Sequence, residues 1–231
     1  LWWNEPADEA FFDLDSDDGG FISNDATGWA WGEDPTFGAN TGTHAWVTAL
    51  GANYINSANW QLTTPEVPIP GDGQLSFYYN MNCENSWDGG NVKISIDSGT
   101  TWTLITPDEG YPDDSIVGLG EPGFTAQSGG WVLTTFDLTM YEGESAMFKF
   151  HFGTDSSVNS YPGWAIDDVR VGAPLEVRPE NRIFENFIIY RDGAVLADDV
   201  TELTYTDEDV PDGTYTYGVT AMYTSGESEV E

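Results

Sequence analysis

Carboxylates are the reactive side chains this sequence supplies in quantity. Of 231 residues, 40 are Asp or Glu, against six Lys and Arg, two His and a single Cys. Zinc hydrolysis needs nitrogen or carboxylate ligands converging on one metal beside a general base. The His-Glu-x-x-His pattern is absent, and His44 and His151 lie far apart without a following glutamate, so both read as structural. A Gly-x-Ser-x-Gly nucleophile elbow is missing too. Cys83 ends the apolar-aromatic stretch Ser76–Cys83 with no cationic neighbour, which points to a buried structural thiol. One cysteine excludes an internal disulfide framework.

The densest acidic run is Asp13-Leu14-Asp15-Ser16-Asp17-Asp18-Gly19. A calcium loop of the EF-hand type wants Gly directly after the third acidic position and Glu six residues later. Asp18 and Asn24 stand there instead, so the run is not an EF-hand. Carboxylates at 13, 15 and 17 would share one face of an extended strand and repel unless screened. The expectation is a solvated acidic edge.

A formal net charge of −34 repels phosphate backbones and anionic lipid surfaces. Nucleic-acid binding and electrostatic membrane docking are therefore excluded as functions. No apolar run approaches the ~18 residues of a membrane span, so no membrane insertion is expected. There is no initiator Met and no signal peptide, and the expectation is a mature or excised segment of a longer protein. The absence of an Asn-x-Ser/Thr sequon favours a prokaryotic source. So large an imbalance fits either a high-salt setting or several bound divalent ions, and both are consistent with an extracellular setting.

The elements that must position these carboxylates are strands. Leu75–Asn80, Val92–Ile96, Trp102–Ile105, Trp131–Leu138, Ala146–Phe152 and Trp164–Val171 are rich in β-branched and aromatic residues, and several alternate with period two. Twenty-six Gly and 12 Pro punctuate them, and no long segment keeps a helical period. Asp97–Thr101 reads as a tight hairpin turn. The stretches 24–46 and 106–130 read as long functional or ion-held loops. The fold class is all-β. Near Ala173–Pro179 the composition shifts, because Arg178, Arg182 and Arg191 cluster there, and a domain boundary is placed at 173/174. Beyond it the order is Phe187–Tyr190, the turn Asp192-Gly193, a strand at Leu203–Asp207, and Thr214–Tyr223.

Residues 11–172 resemble the MAM-like jelly-roll domain of immune-inhibitor-A-type secreted metallopeptidases and other bacterial surface proteins. The resemblance rests on an ordered series. It includes Asp18–Phe21, Trp29–Gly32, His44–Thr48, Trp87–Val92, Asp97–Trp102, Ser128–Trp131 and Gly163–Val169. Residues 183–231 resemble a fibronectin type III module, through Phe187–Gly193 and Tyr215–Tyr223. The implied organisation is a jelly-roll β-sandwich (1–173) followed by a partial immunoglobulin-like sandwich (174–231).

The resemblance implies a calcium held between an early strand and the last one, where Glu84, Asp88, Asp167 and Asp168 fall. Hard cations take six to eight oxygens and need neither His nor Cys. Successive strand residues point to opposite faces, so Asp167 or Asp168 would bind inside while the other meets solvent. The alternative is a single Asp held by backbone amides. Most of the ten Trp are expected in the core, with Trp2, Trp3, Trp60 and Trp87 exposed, and Trp60 and Trp87 the candidates for stacking on a sugar.

The expected function is a non-catalytic, calcium-stabilised extracellular module for adhesion, targeting or scaffolding. Its partners would be other extracellular protein subunits or cell-surface glycans. Three alternatives stand beside it: a carbohydrate-binding accessory region of a secreted peptidase or other hydrolase, a fragment whose catalytic domain precedes Leu1, and a filament subunit. The last follows from length, since 57 residues are too few for ~100-residue immunoglobulin-like folds. A half-sandwich would expose an apolar face through Phe187, Ile189, Tyr215, Tyr217 and Val219, and an edge open to strand addition, giving a homo-oligomer or filament through 183–231.

Overall fold

The computed structural model describes residues 10–71, 73–172, 184–202, 204–208, 210–223 and 226–227. Trp2, Trp3, Arg178, Arg182, Leu203, the segment 177–183 and the boundary placed at 173/174 lie outside the described residues. The chain divides into two compact units, Asp8–Pro174 and one that holds Leu175–Glu231.

The first unit is built from β1 (Ala10–Phe12), β2 (Ile22–Ser23), β3 (Trp29–Gly32), β4 (Ala45–Thr48) and β5 (Asn59–Thr63). There follow β6 (Val67–Pro68), β7 (Gln74–Asn82), β8 (Gly89–Ser95), β9 (Thr103–Leu104) and β10 (Asp113–Ile116). Last come β11 (Glu121–Gly123), β12 (Val132–Asp137), β13 (Ser145–Gly153) and β14 (Gly163–Gly172). All six strands expected in this region form.

Sheet I has the order β12-β7-β14-β4-β3, with β1 also on β14. Sheet II has the order β2-β5-β13-β8-β9, with β6 also on β13. The main strands pass from one sheet to the other at each crossover, which makes the unit a jelly-roll sandwich. The alternating strand β13 shows why. Its Phe148, Phe150 and Phe152 are buried inward while Lys149 and His151 face out. Phe77 of sheet I meets Phe150 of sheet II edge-on, with centroids 5.0 Å apart, and Trp164 packs on Phe150 and Trp29. Cys83 lies in this core, as expected.

Three sequence expectations need correction. The 24–46 stretch is not one long loop, because it carries β3, and 106–130 carries the β10–β11 hairpin. These three strands are short and sit among glycines and prolines, which hides their pattern. The 13–18 carboxylates do not line a strand face. Leu14 has φ 60°, and the Asp13, Asp17 and Asp18 side chains each accept the backbone N–H two residues on. Such Asx turns satisfy local amides where an extended strand would leave them open.

The second unit has a four-stranded antiparallel sheet, β16-β15-β17-β18, of β15 (Phe184–Arg191), β16 (Ala194–Val200), β17 (Tyr217–Tyr223) and β18 (Gly226–Glu227). The Asp192-Gly193 turn forms as expected, with φ values of 52° and 78°. That two-residue turn sends the chain straight back, so the strand after it is β16, and the strand expected at 203–207 does not form in its described residues. Ile189, proposed as part of an exposed apolar face, is fully buried.

Candidate metal centre

Three crossovers between sheet I and sheet II meet at the same rim of the sandwich. They are 49–58 between β4 and β5, 83–88 between β7 and β8, and the return crossover 154–162 between β13 and β14. Register forces this coincidence, since Gly153 pairs with both Gly89 and Asn59, and Gly163 pairs with Asn82. Glu84 and Asp88 stand in the second crossover and Asp155 in the third. Each offers one oxygen, and these oxygens lie within 4.8 Å of one another. Oxygens bound to one calcium at ~2.3–2.6 Å are at most ~5 Å apart, so the spacing fits. Glu84 Oε2 is buried without a hydrogen-bond partner in the described structure.

The surrounding contacts hold the carboxylates in place. Tyr54, from the first crossover, donates its hydroxyl to Asp88 Oδ2 at 2.6 Å, and the Asp155 N–H donates to Asp88 Oδ1 at 2.8 Å. The Thr125 hydroxyl and the Cys83 thiol both donate to the Asp88 carbonyl. Ser57 N–H donates to the Asp155 carbonyl, tying the first crossover to the third. Burial pushes the Asp88 carboxyl above its ordinary range against the lowering effect of the Tyr54 and Asp155 N–H hydrogen bonds, and the Asp155 charge adds to the rise. Glu84 is raised by the same causes, burial first, then Asp88 and Asp155. The charges acting on both are negative. Such a cluster calls for a cation or a proton. All-oxygen, hard donors of this kind suit calcium rather than a softer metal.

Of the four carboxylates expected to bind metal, the structure brings Glu84 and Asp88 together and adds Asp155, which sequence reasoning missed. Its signal was present in the pattern. Asp155 follows the strand Ala146–Phe152 closely, and Asp88 immediately precedes the strand that pairs with it antiparallel. Asp167 and Asp168 are not in this cluster. A register shift in the β7–β14 pairing, with Asp168 at φ 50°, turns both toward the 40–41 loop. Asp167 Oδ2 accepts the Asn40 and Thr41 N–H groups, and Asp168 accepts from the Asn40 amide and the Thr41 hydroxyl. They are a loop clamp: Asp167 has the backbone-amide arrangement anticipated for one Asp, and Asp168 is held by side chains. Asp167 is pushed up to about 7, by burial and then by Asp168.

No protein-family model matches the chain. It is 28% identical, over its full length, to Hemagglutinin A of Porphyromonas gingivalis W83 and to Lys-gingipain W83 of the same species. It is 27% identical over 161 residues to Bacillopeptidase F of Bacillus subtilis, covering 68% of the chain. The chain spans 10–14% of the length of these three relatives. Among solved structures, the K1 cleaved adhesin domain of Lys-gingipain matches 71% of the chain and 98% of that domain, at TM-score 0.44 and 16% identity. A family 11 carbohydrate-binding module from Clostridium thermocellum matches 73% and 97%, at TM-score 0.39 and 11% identity.

Of the two tryptophans expected to contact a ligand, Trp60 is 2% exposed and packs inward from β5 against Phe152. Its polar neighbours Asn59 and Gln61 point the other way, because strand residues alternate. Its ring is not available to a sugar. Trp87, between Glu84 and Asp88 on the rim, is 48% exposed.

Proposed function

We propose that this chain is a non-catalytic adhesion module of a secreted or cell-surface protein, with its crossover rim braced by calcium. The observation that carries the reading is the convergence of Glu84, Asp88 and Asp155 from two crossovers around the unpartnered Glu84 Oε2. Bound there, calcium would supply the positive charge that three crowded carboxylates lack. Tyr54 and the Asp155 N–H would orient Asp88, and Thr125 and Cys83 would fix the 83–88 backbone.

The full-length similarity to a protein named hemagglutinin supports adhesion as the role. The same kind of segment recurring in proteins named as peptidases supports an accessory module rather than a reaction centre. In this reading residues 1–173 are a MAM-like jelly roll and 174–231 a fibronectin type III-like module. Trp87, with the exposed Ile55, Val117 and Val158 on the neighbouring loops, forms the ligand-facing rim, and the ligand is an extracellular protein or a surface glycan. The Val117 N–H donates to the Ser86 carbonyl, which places that valine beside Trp87.

Thermal melts in calcium and in chelator test the cation. A ligand at a hundredfold excess over Kd stabilises the native state by about 2.7 kcal/mol, and Glu84→Gln should lose most of that gain. Superimposable melts would end the calcium reading. Haemagglutination or glycan-array binding that survives Trp87→Ala would remove the rim.

A further inference from the structure

The outer face of sheet II carries an unusual charge arrangement. The sequence has two lysines in all, Lys93 and Lys149, and the β8–β13 register sets them directly opposite one another. Directly paired like charges on neighbouring strands are destabilising. With 40 carboxylates in the chain, each lysine had many places to find a counter-charge. Instead only Lys93 is paired. Glu121 pairs with Lys93 at 2.6 Å, while Lys149 has no ion-pair partner among the described residues. Lys149 Nζ lies 4.0 Å from the centre of the Trp102 ring. The Lys93 side chain is 15% exposed and that of Glu121 36%, and Lys149 is half-buried. His151 follows on β13, and its Nε2 meets Asn59 Oδ1 at 2.7 Å. Burial, and after it the Lys93 charge, push its pKa down to about 4, while Glu121 opposes the shift.

We propose that Lys149, with Lys93, Trp102, Asn59 and Gln61, forms a subsite for an oxyanion-bearing saccharide on the outer face of sheet II. The ammonium of Lys149 would take a carboxylate or sulfate. The Asn59 and Gln61 amides on β5 would meet hydroxyls, and the indole would offer an apolar surface for a sugar ring. A cost placed where it serves no packing purpose marks a functional position. The subsite lies on the outer face of sheet II, with Asn59 its residue nearest the crossover rim, and does not depend on the calcium reading.

The field of the whole protein gives this site a distinctive salt dependence. A −34 protein repels an anionic ligand at long range. The Debye length is about 30 Å at 0.01 M salt and about 8 Å at 0.15 M. Raising salt therefore removes the distant repulsion while the contact at Lys149 persists.

The test is calorimetric titration of the whole chain with a sulfated heparin oligosaccharide, an oligogalacturonate, a neutral oligosaccharide of equal length, and polyglutamate. One or both acidic sugars should bind, which tells sulfate from carboxylate recognition, and the neutral sugar and polyglutamate should not. Affinity should rise several-fold from 0.01 to 0.15 M salt. Lys149→Gln, which relieves the lysine repulsion and should not unfold the sheet, should weaken binding at least tenfold. Failure of both acidic sugars to bind, equal binding of the neutral sugar or polyglutamate, a fall in affinity over that salt range, or an unchanged Lys149→Gln would each overturn the proposal.

Discussion

The Tyr54 hydroxyl joins the two carboxylate residues of one crossover, donating to Asp88 Oδ2 at 2.6 Å and accepting the Glu84 N–H at 3.2 Å. Tyr54 is itself buried, stacked on Tyr161 and edge-on to Phe152, so the hydroxyl is delivered by a ring that cannot move aside. Tyr54→Phe keeps the ring and deletes the link. Asp88, fully buried, then loses a donor, and leaving a buried polar group short of a partner costs about 1–3 kcal/mol. Urea unfolding in chelator should show a loss of that size with an unchanged m-value. A variant as stable as the parent would mean that Asp88 finds another donor.

Much of this architecture was legible in the sequence because it rests on period two. Met147–Phe152 alternates cleanly, so both its existence as a strand and the outward aim of Lys149 and His151 could be read directly. Glu84 and Asp88 came from what the family resemblance implies near the Trp87–Gly90 match. Asp155 was not legible, since its role depends on which strands pair, and pairing is a long-range property. The 167–168 expectation failed for a different reason. Strict alternation assumes an unbroken ladder, and a register shift at Asp168 breaks it. Trp60 is flanked in sequence by polar residues, but in a strand those neighbours belong to the opposite face, and its own ring is buried.

The loop clamp predicts a pH dependence. Asp167 has a folded-state pKa near 7 against an ordinary value of 3.8. Between these values the native state holds a proton that the unfolded chain has released. Its contribution to stability is therefore full below about pH 4 and is lost as pH rises through 7. Asp168→Asn keeps an oxygen acceptor for the 40–41 loop and removes the neighbouring charge, the second cause after burial. Relative to the parent, the variant should gain on the order of 1 kcal/mol between pH 4.5 and 7.5, one pKa unit being 1.36 kcal/mol. Chemical unfolding of both proteins at the two pH values decides it, and parallel curves would sink the argument.

The close approach of the sheets predicts a second instability. A side chain at Gly90 on β8 would overlap the Trp164 ring, which is fully buried between Phe150 and Phe124. The ring has no free side to move to. Gly90→Ala should therefore cost about 1–3 kcal/mol through overpacking. Gly143→Ala tests a different cause, because nothing lies near its Cβ and only its φ of 78° resists the change. If both variants lost the same small amount, the Trp164 contact would not be as tight as it appears.

Cys83 offers a reporter for the crossover itself. Its thiol is buried, donates to the Asp88 carbonyl, and is pushed up to about 12, chiefly by burial. Thiolates, not thiols, react with disulfide reagents, so the native protein at pH 8 should label far more slowly than a free cysteine. Labelling then requires the 83–88 segment to open. A cation held by Glu84, Asp88 and Asp155 binds the closed segment alone, so calcium should slow labelling by the factor 1 + [Ca]/Kd wherever opening is in rapid equilibrium. Glu84→Gln should label at nearly the same rate with and without calcium. Calcium-independent labelling of the parent, at concentrations that raise its melting temperature, would place the stabilising ion elsewhere in the molecule.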